Sequence, residues 1–205
     1  MTQQFTGSEF WNERYQSEDY MYGVQVNDFL RAQARRIKHG GQVLSLAEGE
    51  GRNAVYLAGQ GCVVRGVDFS AEGRKKAMEL AAQHEVTIEY DLADLTSYNI
   101  GDTSWDAIVS IFCHLHLTER AKIYHSVKRA LKPGGVFIFE AYNKRQLDYG
   151  TGGPGDVSYL PSLGQLRKVF EGFEIMLAQD TVREVNEGTH HTGLSAVTQF
   201  IARKP

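Results

Sequence analysis

The run Val43 to Asp68, VLSLAEGEGRNAVYLAGQGCVVRGVD, joins a glycine turn after one apolar stretch to an aspartate that closes the next. Gly49 and Gly51 let the backbone turn sharply and let a ligand lie against it without meeting a Cβ. Asp68 follows Gly51 by seventeen residues, and a carboxylate there can accept hydrogen bonds from both hydroxyls of an adenosine ribose. Gly49 to Ala54 also satisfies the dinucleotide fingerprint G-x-G-x-x-A, so an NAD(P)-dependent oxidoreductase is a rival reading. Three features oppose it. Glu48 and Glu50 put two carboxylates where a pyrophosphate needs positive potential. Asp91, after the third apolar run, offers a polar readout suited to an adenine amine. The chain also closes on two extended segments separated by a short loop instead of a second mononucleotide half.

Other groups able to do chemistry lie further along. His114 and His116, in FCHLHL, follow the fourth apolar run, and His114 is the candidate general base. Cys113 has the apolar neighbours Ile111 and Phe112, the setting of an unactivated thiol. Cys62 is likewise read as reduced and structural. Glu140, Tyr142 and the Tyr149 to Pro154 loop follow the fifth run and are the candidate substrate contacts. His190 and His191 are adjacent, so on a strand they point to opposite faces, and no third ligand stands near; no metal is expected. Upstream, Trp11, Tyr15, Tyr20 and Tyr22 crowd beside Arg14. They form either an aromatic staple onto the core or a lid whose Arg14 fork would pair with a ligand carboxylate.

These residues need a scaffold. Short Val- and Ile-rich runs alternate with segments of helical period, which predicts βαβ units, a mainly parallel sheet and an α/β fold. Strands are expected at Gln42 to Leu46, Val63 to Val67, Thr87 to Tyr90, Trp105 to Ile111 and Val136 to Glu140. Helices are expected at Asn53 to Gln60, from the Ser70 cap to about His84, from Glu119 behind a Thr118 cap to Leu131, and at Leu163 to Phe170. Glu9 to Gln16 and Asn27 to Lys38 read as two leading helices. Glu174 to Val185 and Ser195 to Ala202 read as an antiparallel pair.

With 42% hydrophobic and 23% charged residues the chain has ordinary globular composition, which excludes a disordered or fibrous protein. One domain spanning 1–205 is expected, divided into a helical lid (1–40), a cofactor core (41–140) and an acceptor-side loop with its strand pair (141–205). A net charge of -3 with scattered basic residues opposes a nucleic-acid substrate. No stretch reaches the roughly 18 apolar residues of a membrane span, and MTQQFTGSEFWNERY lacks the pattern of a signal peptide, so a cytoplasmic protein is expected.

The series VLSLAEGEGRN, GVDFS, DLADL, WDAIVSIF and LKPGG, in that order, resembles the class I S-adenosylmethionine-dependent methyltransferases over about residues 41 to 140. The flanks FWNERY, YGVQVNDFL and EAYNKRQLDYGTGGP resemble a bacterial small-molecule subgroup related to tellurite-resistance and thiopurine methyltransferases. The resemblance implies a Rossmann-like, seven-stranded, mostly parallel sheet with helices on both faces. It implies S-adenosylmethionine as cofactor, S-adenosylhomocysteine as product, and a small-molecule acceptor, in the subgroup a soft sulfur, selenium or tellurium nucleophile. The alternative is a module that keeps the cofactor site without transfer. Carried over, the resemblance sets Ala47, Glu48 and Gly49 against the methionine moiety, Asp68 on the ribose and Phe69 beside the adenine. Asp91 and Leu92 would meet the adenine edge, and the Ile111 carbonyl the amino group. Trp11, Arg14, Tyr22, Asn53 and Ser70 complete the expected cofactor set. Two positions depart from the pattern. Ser45 stands where the family has an acidic strand residue that orders the loop, and Ala47 replaces the first loop glycine; Glu48, three positions from Ser45, is not assigned that lost role.

Overall fold

A computed structural model describes residues 7–189 and 191–205. Its elements are α1 (Ser8–Tyr15), α2 (Asp28–Gln33), β1 (Gln42–Leu46), α3 (Arg52–Gly59), β2 (Val63–Asp68), α4 (Ala71–Gln83), β3 (Glu89–Leu92), β4 (Trp105–Ile111), α5 (Leu117–Ala130), β5 (Leu131–Tyr142), α6 (Leu163–Val169), β6 (Glu174–Glu187) and β7 (His191–Arg203). The strands form one seven-stranded sheet in the order β3-β2-β1-β4-β5-β7-β6. Neighbours from β3 to β5 are parallel, and β7 runs antiparallel to both β5 and β6.

The two-residue period of the strands divides the core between two faces. Val43, Val109, Ile138 and Ile201 pack with Phe29 and Leu30 of α2, Leu57 of α3 and Leu80 of α4. Their neighbours Leu44, Ile108, Phe137 and Phe200 face the other way, onto Ile123 and Tyr124 of α5 and Leu166 of α6. Each such fully buried side chain contributes roughly 1.5–3 kcal/mol. The sheet thus carries helices on both faces and presents the carboxyl ends of β1 to β5 along one edge.

Three local differences from the sequence expectations have physical causes. β5 begins at Leu131, runs through Pro133 and absorbs the extra length in a register shift, Trp105 pairing with Leu131 and Ala107 with Val136. α5 begins two residues early because His116, not Thr118, caps it: its Nδ1 accepts from the Thr118 N–H. The second leading helix stops at Gln33 and tightens into a 3-10 turn, Ala34–Arg36. Among the described residues, no helix is long and apolar enough to cross a membrane. No described cluster of three His, Cys, Asp or Glu could hold a metal ion; His190 lies outside the described residues.

Candidate active site

The turn after β1 is held from several sides. Ala47, Gly49 and Gly51 take φ values of 50°, 59° and 93°. A Cβ on Gly51 would lie 2.6 Å from the Ala77 Cβ on α4, so this glycine is required by helix packing. A Cβ on Gly49 would meet the Tyr15 hydroxyl at 2.7 Å. Asp68, at the end of β2, reaches back to the turn: Oδ2 accepts from the Gly49 N–H at 3.1 Å and Oδ1 from the Ser70 N–H at 2.9 Å. The carboxylate keeps an acceptor position for a further donor. Burial raises the Asp68 pKa to about 6, although backbone hydrogen bonds from Ser70, Gly49 and Phe69 oppose the shift.

Glu48 and Glu50 do not project as free charges. Glu50 is buried and pairs with Lys76 Nζ at 2.7 Å, and it accepts the backbone N–H groups of Met21 and Tyr22. Glu48 accepts the N–H groups of Asn53 at 3.1 Å and Ala54 at 2.8 Å, and the Ser45 hydroxyl donates to its second oxygen. The first turn of α3 therefore already carries a carboxyl acceptor, whose pKa burial raises against the hydrogen bonds from Ser45, Ala54 and Asn53. The donors that a pyrophosphate would need there are occupied by the chain itself, which counts directly against the dinucleotide reading.

The N-terminal aromatics divide between packing on the core and lining the cavity. Tyr15 is the staple: its ring packs on Gly49 and on Gly73 of α4, where a Cβ would come within 3.1 Å of the ring. Gly73, a weak residue inside a helix, is there to admit it. Asn12 fixes the same contact by accepting the Ser70 hydroxyl at 2.8 Å. Trp11, Arg14 and Tyr22 face the cavity. The Arg14 guanidinium stacks on Phe10 and Trp11 and donates to the Tyr22 hydroxyl at 3.2 Å.

The cavity along the sheet edge measures about 1080 Å³. Its far half is walled by rings. Phe112, which takes a φ of 51°, lies 4.6 Å from Tyr142 and 4.7 Å from His191 between centroids. Tyr22 reaches His191 at 4.5 Å, and His114 stacks on Tyr142 at 5.5 Å. Neither nitrogen of His114 has a hydrogen-bond partner of good geometry, and burial lowers its pKa to about 4 despite the nearby Tyr159 backbone. The imidazole is neutral at physiological pH and too weak a base to take a proton from most acceptors. Cys113 also lines the cavity, with its thiol pushed up to about 12 by burial.

Twelve of the sequence-proposed site residues line this one cavity: Trp11, Arg14, Tyr22, Ala47, Glu48, Gly49, Asn53, Asp68, Phe69, Leu92, Ile111 and His114. Five do not. Asp91 pairs with Val67 and Leu92 with Asp68, so the Asp91 side chain points away from Asp68; it accepts the Tyr98 hydroxyl at 2.6 Å and lies 3.7 Å from Arg65. Ser70 is fully buried as the α4 cap, its hydroxyl accepting from Gly73. Glu140 is fully buried on the inner side of β5, bound to Arg183, Asn27 and Gln199, far from a substrate-contact role. Tyr142 is a buried support behind Phe112 and His114, and Tyr149 leaves the wall to its neighbour Gly150. The sequence reading missed Arg52, Phe112, Tyr159 and Thr192, and it weighed His191 only as a metal ligand; all five line the cavity.

A sheet of this order, with a glycine turn and a buried acid at the ends of its first two strands, defines a nucleoside-binding α/β enzyme fold. The comparisons narrow the class. Residues 43–135 match the methyltransferase domain family. Phosphoethanolamine N-methyltransferase 2 of Caenorhabditis elegans is 30% identical over 147 residues, 67% of this chain but 34% of the relative. The chain thus spans about a third of that relative's length. TehB of Haemophilus influenzae superposes with a TM-score of 0.74 at 20% identity, covering 97% of this chain and 67% of that one. Magnesium protoporphyrin IX methyltransferase of Synechocystis, with bound SAH, gives 0.64 at 18% identity over 86% of this chain and 78% of that one. The methyltransferase domain over residues 43–135 and these neighbours support a class I S-adenosylmethionine-dependent methyltransferase fold, with S-adenosylmethionine as the cofactor of that fold.

Proposed function

We propose that the chain transfers a methyl group from S-adenosylmethionine to a small-molecule acceptor, with the cofactor in the Asp68 half of the cavity and the acceptor in the ring-walled half. The observation that carries the reading is Asp68: a buried carboxylate at the cavity wall, held by the backbone N–H groups of Gly49, Phe69 and Ser70, that can still accept a ribose hydroxyl. Leu92 supports it. Its side chain is 50% exposed on the cavity wall near Phe69, an apolar surface that an adenine ring would cover.

When bound, S-adenosylmethionine supplies an electrophilic methyl group on a sulfonium. The residues of this chain do the remaining work. Asp68 holds the ribose, Arg14 pairs with the carboxylate of the amino acid, and the Ile111 carbonyl accepts from its amino group. Trp11 and Tyr22 close the near side as a lid within residues 1–40, and exclude water. Phe112, His114 and His191 orient the acceptor so that its lone pair stands in line with the methyl carbon. Positioning and desolvation supply most of the acceleration in such a displacement, so no catalytic triad is required. His114 contributes a neutral imidazole that orients the acceptor.

The acceptor is a small molecule, with soft sulfur, selenium or tellurium nucleophiles the first to test and amines the second, since one relative is named for an amine substrate. Incubation with methyl-labelled S-adenosylmethionine and a panel of thiols, selenium and tellurium oxyanions, phenols and amines tests the proposal. Label in an acceptor together with S-adenosylhomocysteine supports it. Tight cofactor binding with no turnover across the panel would favour a module that binds the cofactor without transfer.

A further inference from the structure

The resemblance implies an acid at the strand position held here by Ser45, yet the turn that acid would hold is tied by its own hydrogen bonds. We propose that Glu48 is the positioning carboxylate of the cofactor loop, moved from the strand into the loop itself. The inference rests on the reading of this cavity half as a S-adenosylmethionine site.

Four features converge on the Glu48 side chain. Oε1 accepts two consecutive N–H groups, Asn53 and Ala54, which are otherwise orphan donors in the first turn of α3. The Ser45 hydroxyl donates to the other oxygen, so the residue that lost the carboxylate has become its donor. Gly66, opposite Ser45 in the register of β1 and β2, leaves the space: a Cβ there would lie 3.1 Å from Glu48 Cγ. A glycine inside a buried strand signals a close approach of this kind. Ala47, at a φ of 50°, makes the bend from which Glu48 turns inward.

The arrangement has a functional consequence. Glu48 ties β1, through Ser45, to α3, through Asn53 and Ala54, and so fixes the path of Ala47 to Gly51 before any ligand arrives. Gly49, whose N–H aims Asp68, sits in the middle of that path. The Glu48 carboxylate therefore acts on the cofactor through the loop that it holds.

The test is relocation of the carboxylate, read as S-adenosylhomocysteine affinity by calorimetry well below the melting temperature. Glu48→Ala is expected to weaken binding by about 30-fold, because two charge-assisted hydrogen bonds are lost. Glu48→Gln, which keeps an accepting oxygen, stays within about fivefold of the unmodified chain. Ser45→Asp alone sets two carboxylates against each other and lowers both affinity and melting temperature. In the Glu48→Ala background the same Ser45→Asp change recovers affinity to within about fivefold, since it restores an anion to the site. Glu48→Ala binding like the unmodified chain would overturn the inference. So would Ser45→Asp proving neutral on its own, an outcome that can be read even if Glu48→Ala does not fold. Failure of the unmodified chain to bind S-adenosylhomocysteine would instead overturn the proposed function.

Discussion

The cofactor half of the cavity takes its polar groups from the ends of β1 and β2 and the turns that follow them, whereas the acceptor half takes its rings from four distant parts of the chain. Glu48, Gly49, Asn53 and Asp68 fall within 21 residues of sequence. Tyr22, Phe112, Tyr142 and His191 are spread over most of it. The first half is a web of backbone N–H groups converging on two buried acids. The second is a contiguous cluster of tilted and edge-on rings, with centroids 4.5 to 5.2 Å apart around His191. Backbone donors in fixed directions recognise one ligand and tolerate little change. Rings recognise shape and can be exchanged without disturbing the sheet. One scaffold can thus keep its cofactor while its acceptor varies.

A buried ion network joins the halves, and breaking it gives the largest expected effect. Glu187, at the hairpin end of β6, binds Arg52 of α3 at 2.5 Å, Arg183 at 3.1 Å and Asn27 at 2.8 Å. Glu187→Ala leaves Arg52 without its buried carboxylate, while Arg183 keeps Glu140, and is expected to cost about 3–5 kcal/mol, a fall of roughly 6–20 °C in melting temperature by calorimetry. Asp68→Asn separates the halves more selectively. It is expected to weaken S-adenosylhomocysteine binding by about 2–3 kcal/mol, roughly 30- to 150-fold, while leaving the ring wall in place. The same residue sets a pH dependence. Ribose binding favours the ionised carboxylate, so affinity is full well above the raised pKa of about 6 and declines as pH falls through it. Titrations across that range show the slope in the unmodified chain and not in Asp68→Asn.

On the acceptor side the effects are smaller. His114→Ala removes a ring stacked on Tyr142 and is expected to raise the acceptor KM about three- to tenfold. Cofactor affinity stays within about twofold, because no hydrogen bond of the loop depends on it. With a pKa of about 4, His114 is not the source of any acid limb in turnover near neutrality, and the pH profile of the variant keeps its shape. Smallest of all, Ala47→Gly relieves a left-handed alanine and is expected to add about 0.5–1 kcal/mol, roughly 1–4 °C in melting temperature.

The contrast also explains what the sequence revealed. Gly49, Gly51 and Asp68 were legible because adjacent parallel strands place successive turns side by side, so short spacing reports real proximity. Asp91 is turned from the cavity for a reason of geometry. A strand end marks the ligand edge, but side chains alternate, and a one-residue offset turns a carboxylate to the opposite face. Leu92, level with Asp68 in the register, faces the cavity where Asp91 does not. The partners that hold Glu140, Arg183 and Asn27, stand 43 and 113 residues away and left no local signal. The compensation of Ser45 by Glu48 was hidden likewise, because it depends on the space left by Gly66 on the neighbouring strand.

The most direct test of the central claim, that the Asp68 half is a S-adenosylmethionine site, is calorimetric titration of the unmodified chain with S-adenosylmethionine, S-adenosylhomocysteine and NAD(H). The account predicts one site for the first two ligands and no heat from the third, because Glu48 already occupies the helix N–H groups that a pyrophosphate would use. Binding of NAD(H) alone would contradict it.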